Sequence, residues 1–353
     1  MDETAPPTRR TGSGRGRASG RVGIRDVARD AGVSVATVSR VLADDGYPVS
    51  EASRRKVLES VARLNFVPND LARGLSQDRT NTVGVIVPNL ANLYYARVLL
   101  GVEEVAAQNG MSIIFCNTNH NLANRERDIK LLLQKRVDGI IICGSGTDYE
   151  NSAGRLADGP APFVVLGRNE KLDYPAVHAD NRRAGYTATR HLVDLGHTRI
   201  AFLTGPERWS DGNDRVAGYK ACLADHGLDF DPDLLIRCDF AEQDAYERMT
   251  QRGHAGMGFS ACLAGNDRIA LGAMAAAIDL GLRVPEDLAF VGFDNIATSL
   301  YMRPSLTTMD MPAQRMGAEG MRLMLRILAG EAVPSRTVFD AALLVRQSSG
   351  GLR

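Results

Sequence analysis

Apolar positions follow two different periods along the chain, and the change between them divides it. Ile24, Val27, Ala28 and Ala31 repeat at the three-and-four spacing of one helical face, and Gly32 ends that run. Ser34 then stands as an N-cap whose hydroxyl can accept from the backbone N–H of Ala36 or Thr37, ahead of a second helix from Val35 to about Leu42. On that helix Val38, Val41 and Leu42 turn inward, which leaves Val35, Ala36 and Arg40 on the opposite face. A third helix is predicted from Glu51 to Leu64, with Arg54, Arg55 and Lys56 on a different face. From Val83 onward, strand-length apolar runs alternate with amphipathic segments. Strands are predicted near Val83–Val87, Ser112–Cys116, Gly139–Ile142 and Phe163–Leu166, with helices near Tyr94–Gln108 and Asn124–Lys135. A second set has strands near Arg199–Leu203, Ala261–Ala264 and Ala289–Val291, with helices near Arg182–Leu195, Asp214–His226, Ala241–Arg252 and Arg268–Gly281. Such alternation builds parallel sheets covered by helices on both faces, and two sets build two lobes. The expected fold class is α/β, with a small all-α helix-turn-helix unit ahead of a two-lobed, doubly wound core. Ligands of open parallel sheets sit beyond the carboxyl ends of the strands, here a cleft between the lobes.

Composition supports a globular chain. Of 353 residues, 44% are hydrophobic and 24% charged, outside the range of disordered or fibrous sequences. The formal charge of zero hides an asymmetry: residues 1–80 carry fourteen Arg or Lys against ten Asp or Glu, and the remainder is acidic by the same margin. Residues 1–21 hold five arginines among Gly, Ser, Pro and Thr, so a disordered basic tail is expected, either a plain solvated extension or an arm attracted to phosphate. Apolar runs such as Val83–Val87 and Gly139–Cys143 fall far below the roughly 18 residues of a spanning helix. With no apolar leader at the N-terminus, the expectation is a cytoplasmic chain without a membrane partner. Cysteines 116, 143, 222, 238 and 262 form no C-x-x-C, and the histidines show no ligand spacing, so neither disulfide framework, metal nor cofactor is expected.

The second helix carries groove-reading chemistry. Arg40 can donate two hydrogen bonds to guanine O6 and N7, while Val35 and Ala36 are short enough to touch a thymine methyl. Ser34, Thr37 and Ser39 offer hydroxyls to phosphates. From spacing alone, a packed helical hairpin with a surface arginine stays open.

The string I-R-D-V-A-R-D-A-G-V-S-V-A-T-V-S-R-V-L from Ile24 to Leu42, followed by L-N-F-V-P-N from Leu64 to Asn69, resembles the DNA-binding headpiece of the lactose-repressor (LacI/GalR) family of bacterial transcription regulators. One departure is Ala43, where the family commonly has an asparagine that contacts phosphate. The resemblance implies domains at 22–68 (headpiece), 69–81 (hinge helix and linker) and 82–353 (core). It makes Asn69–Leu75 the hinge helix, with Ala72 and Leu75 entering the minor groove. Seven residues including Gly74 fall short of the ~12 to 15 that an isolated helix needs, so the segment is expected to fold only on DNA. A plain linker is the alternative, favoured by the polar run from Ser76 to Asn81.

The likeness continues in G-V-I-V-P-N at Gly84, L-L-L-Q-K-R-V-D-G-I-I-I at Leu131, H-L-V-D-L-G-H-T-R-I-A at His191, N-D-R-I-A-L-G-A-M at Asn266 and V-G-F-D-N at Val291. The core therefore resembles a type I periplasmic sugar-binding protein, with a helix near Ala313–Leu328 returning to the first lobe. Carried over residue by residue, Arg215, Asn266 and Asp294 are implied to hydrogen-bond an effector, with Tyr94, Trp209 and Phe240 lining the pocket and Asp211 a further polar contact. An arginine opposite a carboxylate suits a vicinal diol, and aromatics suit the apolar face of a sugar. Tyr95 falls near the same pocket positions, with ordinary core packing the preferred reading. At Gly167 some sugar-responsive members carry an aspartate; Arg168 either replaces it or forms a structural ion pair.

No enzyme is expected. Gly12, Gly14 and Gly16 follow no strand and open no helix, and Gly144 and Gly146 lack the third glycine of a phosphate-binding turn. A free sugar-binding protein would need neither a headpiece nor a cytoplasmic address. The expected function is a repressor that binds a pseudo-palindromic double-stranded operator under control of a small molecule, a sugar first, with a nucleobase or phosphoprotein as alternatives. Without a leucine heptad after Ala341–Val345, a homodimer is expected rather than a tetramer.

Overall fold

The computed structural model describes residues 22–43, 47–67, 79–146, 156, 159–168 and 174–350. The expected tail at 1–21 and the hinge positions Asn69, Ala72 and Leu75 lie outside the described residues. Two compact units divide at 78/79.

The first unit holds α1 (Ile24–Ala31), α2 (Val35–Ala43) and α3 (Glu51–Arg63). Gly32 closes α1 in the left-handed region at φ 65°, a conformation that side chains with a Cβ rarely adopt. Ser34 caps α2 by accepting from the Thr37 backbone N–H at 3.0 Å. Val27, Ala28, Ala31, Val38, Val41, Val57 and Phe66 form one small core. Each large aliphatic side chain buried there stabilises by about 1.5–3 kcal/mol, and so few of them make each one matter. The buried Ser60 hydroxyl donates to Asp30 at 2.6 Å, tying α3 to α1, and Arg63 pairs with the same carboxylate. Together they hold Asp30 below the usual carboxylate range.

In the second unit, the first sheet has strand order β2-β1-β3-β4-β5-β11, with every neighbouring pair parallel. Its strands are β1 (Thr82–Val87), β2 (Ser112–Asn117), β3 (Gly139–Cys143), β4 (Phe163–Leu166), β5 (Ala176–Ala179) and β11 (Arg336–Phe339). Helices α4 (Leu93–Gln108) and α5 (Leu122–Gln134) belong to this lobe. The second sheet runs β7-β6-β8-β9-β10-β12, built from β6 (Ile200–Thr204), β7 (Leu235–Arg237), β8 (Ala261–Ala264), β9 (Ala289–Phe293), β10 (Thr307–Asp310) and β12 (Ala342–Leu344). Only the β10–β12 pair is antiparallel. Helices α6 (Asn181–Asp194), α7 (Ser210–Asp225), α8 (Glu242–His254) and α9 (Asp267–Asp279) accompany it.

The chain crosses between lobes three times: from β5 to α6, from β10 to α10 (Ala313–Leu328), and from β11 to β12. Helix α10 packs on the first sheet and lies close against α4. Glycine permits that approach, since a Cβ on Gly101 would lie 1.9 Å from the Gln314 carbonyl oxygen and one on Gly317 2.0 Å from that of Val98. Central strand β1 buries Val83 through Val87, whereas edge strand β2 leaves Ile114 and Phe115 exposed. Five strands, β5, β7, β10, β11 and β12, appear where the apolar pattern predicted none. They are only three or four residues long, and β10 buries Thr307 and Thr308 rather than an apolar pair.

Candidate functional site

The carboxyl ends of the two parallel sheets face one cavity, and chain topology delivers to it side chains from distant parts of the sequence. Tyr94, Trp209, Asp211, Arg215, Phe240, Asn266 and Asp294 all line it. Tyr95 packs against the hydrophobic core, as its preferred reading had it, and lines the cavity as well, edge-on to Tyr94 with ring centroids 5.2 Å apart. The reason is positional: both tyrosines lie in the first turn of α4, whose start faces the cleft.

Arg215, on α7, is fixed on three sides. Its Nε donates to Asn181 Oδ1 at 2.8 Å, another N–H donates to the Gly265 carbonyl, and its guanidinium lies 4.7 Å from the centre of the Phe293 ring. Asn181 passes the chain on, donating to Asp211 Oδ1 at 3.0 Å. Asp294 follows β9 in a left-handed conformation, φ 109°, uncommon for a residue with a side chain. Burial pushes its carboxyl up to about 6, against the opposing pull of Arg215, a hydrogen bond from Asn92 and the charge of Arg97, while Asp211 adds to the rise. Asn266 is buried with its side-chain oxygen accepting from the Ile269 N–H at 2.8 Å, so it caps α9 as well as lining the cavity.

An aromatic group covers one side. Trp209 meets His120 edge-on at 5.2 Å and Phe240 at 6.0 Å, while His120 and Phe240 are near-parallel at 6.2 Å. Sequence reasoning missed His120, whose Nδ1 is buried with no hydrogen-bond partner among the described residues. Burial, with the nearby Arg208 and Arg268 charges, lowers its pKa and favours the neutral ring, which lines the cavity.

Besides the Asn92–Asp294 hydrogen bond, further contacts tie the lobes together across the cleft. Arg97 of α4 donates to the carbonyls of Asp294 and Asn295 at 3.2 and 3.3 Å and pairs with Asp310 at 3.2 Å. Ser145 Oγ accepts from the Asp211 N–H at 3.2 Å. Arg168 pairs with Asp214, the ion pair that one of its two readings expected. Gly167 leaves no room for an aspartate, because a Cβ there would fall 2.1 Å from the Gly144 carbonyl oxygen. With the lobes so joined, the cavity encloses about 80 Å³ of water-accessible space.

The headpiece presents its face differently. Val35, Ala36, Ser39 and Arg40 are exposed on one side of α2, while Val38 and Val41 are buried on the other. Ser34 and Thr37 share a hydroxyl contact of 2.8 Å, so both hydroxyls serve the helix cap while remaining accessible. The Arg40 guanidinium lies 4.2 Å from the centre of the Tyr47 ring, an aromatic that periodicity did not single out.

Comparison with known proteins covers both units. Residues 23–69 match the bacterial regulatory proteins of the lacI family, and residues 80–346 match the periplasmic binding proteins and sugar binding domain of LacI family. Catabolite control protein A of Priestia megaterium is 37% identical over 320 residues, covering 90% of this chain and 96% of that protein. The HTH-type transcriptional repressor CytR of Escherichia coli K12 is 32% identical over 330 residues, covering 93% and 96%. Among solved structures, the lac repressor dimer bound to operator and an anti-inducer superposes with a TM-score of 0.85 at 28% identity, covering 94% of this chain and 99% of that one. A complex of the transcriptional regulator CelR with cellobiose gives 0.72 at 30% identity, covering 93% and 100%. With both family models matched in order along the same chain, this protein belongs to the LacI family of bacterial regulatory proteins.

Proposed function

We propose that this chain is a homodimeric repressor that binds a two-fold symmetric operator and is controlled by a sugar, or a sugar-like polyol, held between the core lobes. The observation that carries the reading is one cavity in which a fixed guanidinium and a buried carboxyl stand beside an aromatic wall. Those groups match the hydroxyl edge and the apolar face of a carbohydrate. Opposite charges at Arg215, Arg268, Asp211 and Asp294 balance around the cavity, which favours a neutral ligand over an anion.

Binding rather than turnover suits the cavity. Arg215, Asn181 and Asp211 form a fixed hydrogen-bond chain, and the nearby Cys143 thiol is pushed up to about 12 by burial, far from a reactive thiolate. Around 80 Å³ is below the ~300 Å³ at the small end of ligand pockets, which favours a more open arrangement of the lobes for taking up a ligand. Parting breaks the Arg97, Ser145 and Arg168 contacts. A ligand that prefers one lobe arrangement then shifts the equilibrium of the whole core, and its preference sets whether it releases DNA or tightens binding.

The exposed Leu100, Ile114 and Phe115 of the first lobe, and Leu271, Ile278, Leu300 and Tyr301 of the second, supply apolar surface for a second copy. The open edge of β2 adds unpaired backbone groups. Among the described residues no helix is long and apolar enough to cross a membrane; a cytoplasmic address is part of the proposal and follows from its DNA-directed role. The test is stoichiometry on a duplex selected from a random pool: two chains should bind a symmetric site, and a half-site duplex should bind at least tenfold more weakly. Equal affinity for half and full sites would exclude a dimeric reader.

A further inference from the structure

We propose that Tyr47 is a positioning residue for base reading, its ring holding the Arg40 guanidinium ready for the major groove. The inference rests on the reading that Arg40 contacts a base. Arg40 is exposed at the end of α2, and a long side chain free in water must give up rotamer freedom before it can make a bidentate contact. Here the guanidinium already lies 4.2 Å from the Tyr47 ring centre, inside the ~6 Å range of cation–π attraction. The two demands on the group are compatible. Stacking uses the face of the guanidinium, whereas guanine O6 and N7 take hydrogen bonds from its N–H edge.

Two further features favour this role over an incidental contact. Among the described residues Arg40 has no carboxylate partner, in contrast to Arg63 on Asp30. Pro48 follows Tyr47 directly and restricts its backbone to extended conformations, which makes the ring a stiffer platform than a free loop residue would be. Tyr47 is 52% exposed, so replacing it removes little core packing.

The experiment uses the full chain and a pool of randomised DNA duplexes. Selection with the wild type and with Arg40→Ala identifies the operator position whose guanine preference depends on Arg40. Tyr47→Ala should then reduce discrimination at that same position by about 2- to 5-fold, the ratio expected of an exposed cation–π contact, with other positions unchanged. Tyr47→Phe keeps the stacking face and should restore the wild-type preference. Unaltered selectivity in Tyr47→Ala overturns the proposal. Uniform weakening on all sequences, shared by Tyr47→Phe, also overturns it and makes the hydroxyl a phosphate contact. If Arg40→Ala leaves every preference intact, the base-reading role of Arg40 fails first and Tyr47 has nothing to position. Far-UV circular dichroism of each variant should match the wild type.

Discussion

The two candidate sites are built in opposite ways. On α2, the reading face is contiguous in sequence, exposed to water and held by a cap and a small core behind it. In the cleft, the ligand-facing groups come from many elements of both lobes, are largely buried, and several are fixed by hydrogen bonds to one another. An exposed face attracts its partner through charges that salt screens, and pays for ordering when it binds. A buried cleft has already removed its polar groups from water, so each one needs a partner and each loss costs more. The difference teaches where control can reside: the headpiece supplies recognition, and the cleft supplies a two-state element that a small molecule can bias.

The strongest way to break the comparison is to unfold one unit alone. Val38→Asp places a charge in the seven-residue headpiece core and should destabilise that unit by more than about 3 kcal/mol, abolishing operator binding. Trp209 fluorescence and the core's thermal transition should persist; their simultaneous loss would contradict two separately folding units. Next in size is salt. Operator affinity should fall at least tenfold between about 50 and 200 mM salt, while affinity for a neutral ligand stays within about twofold. Fluorescence anisotropy on labelled DNA, with a parallel ligand titration, separates the two. Arg215→Ala should weaken small-ligand affinity by roughly 10- to 100-fold, the loss of a charged hydrogen bond, with operator selectivity unchanged.

The smallest effect sharpens the role of Asp294. Its carboxyl titrates at about 6, above the ordinary carboxylate value, so the folded cleft is ionised above that pH and protonated below it. Where a ligand hydroxyl donates to the carboxylate, affinity should be flat above pH 6 and fall by up to about tenfold per unit below it. Removing Arg215 takes away a charge that lowers this pKa and should move the midpoint upward. In Asp294→Asn the step should vanish; a surviving step assigns the titration to another group.

How much of this was legible in sequence follows from how local each feature is. The helices of the headpiece and the Ser34 cap depend on neighbours three or four residues away, and their ends were read to within about a residue. Cleft residues were found through motif likeness, as in V-G-F-D-N ending on Asp294, rather than from periodicity. His120 gave no such signal, because its position past the end of β2 becomes meaningful only when α7 brings Trp209 beside it. Arg97 looked like an ordinary charge on a helix surface, yet its partners lie some 200 residues away. Short strands such as β10 escaped because Thr307 and Thr308 replace apolar contact with buried hydrogen bonds, Thr308 to Asp267 at 2.6 Å.

The central claim is that the cleft and the operator communicate. The most direct measurement is fluorescence of the single tryptophan, Trp209, during titration with pentoses, hexoses, disaccharides and nucleobases, repeated with labelled operator present. The account predicts a saturable response to one neutral sugar and a change in DNA affinity by the same factor that DNA changes sugar affinity, as linkage requires. Saturable binding that leaves DNA affinity untouched, or selective DNA binding with no response to any of these ligands, would contradict it.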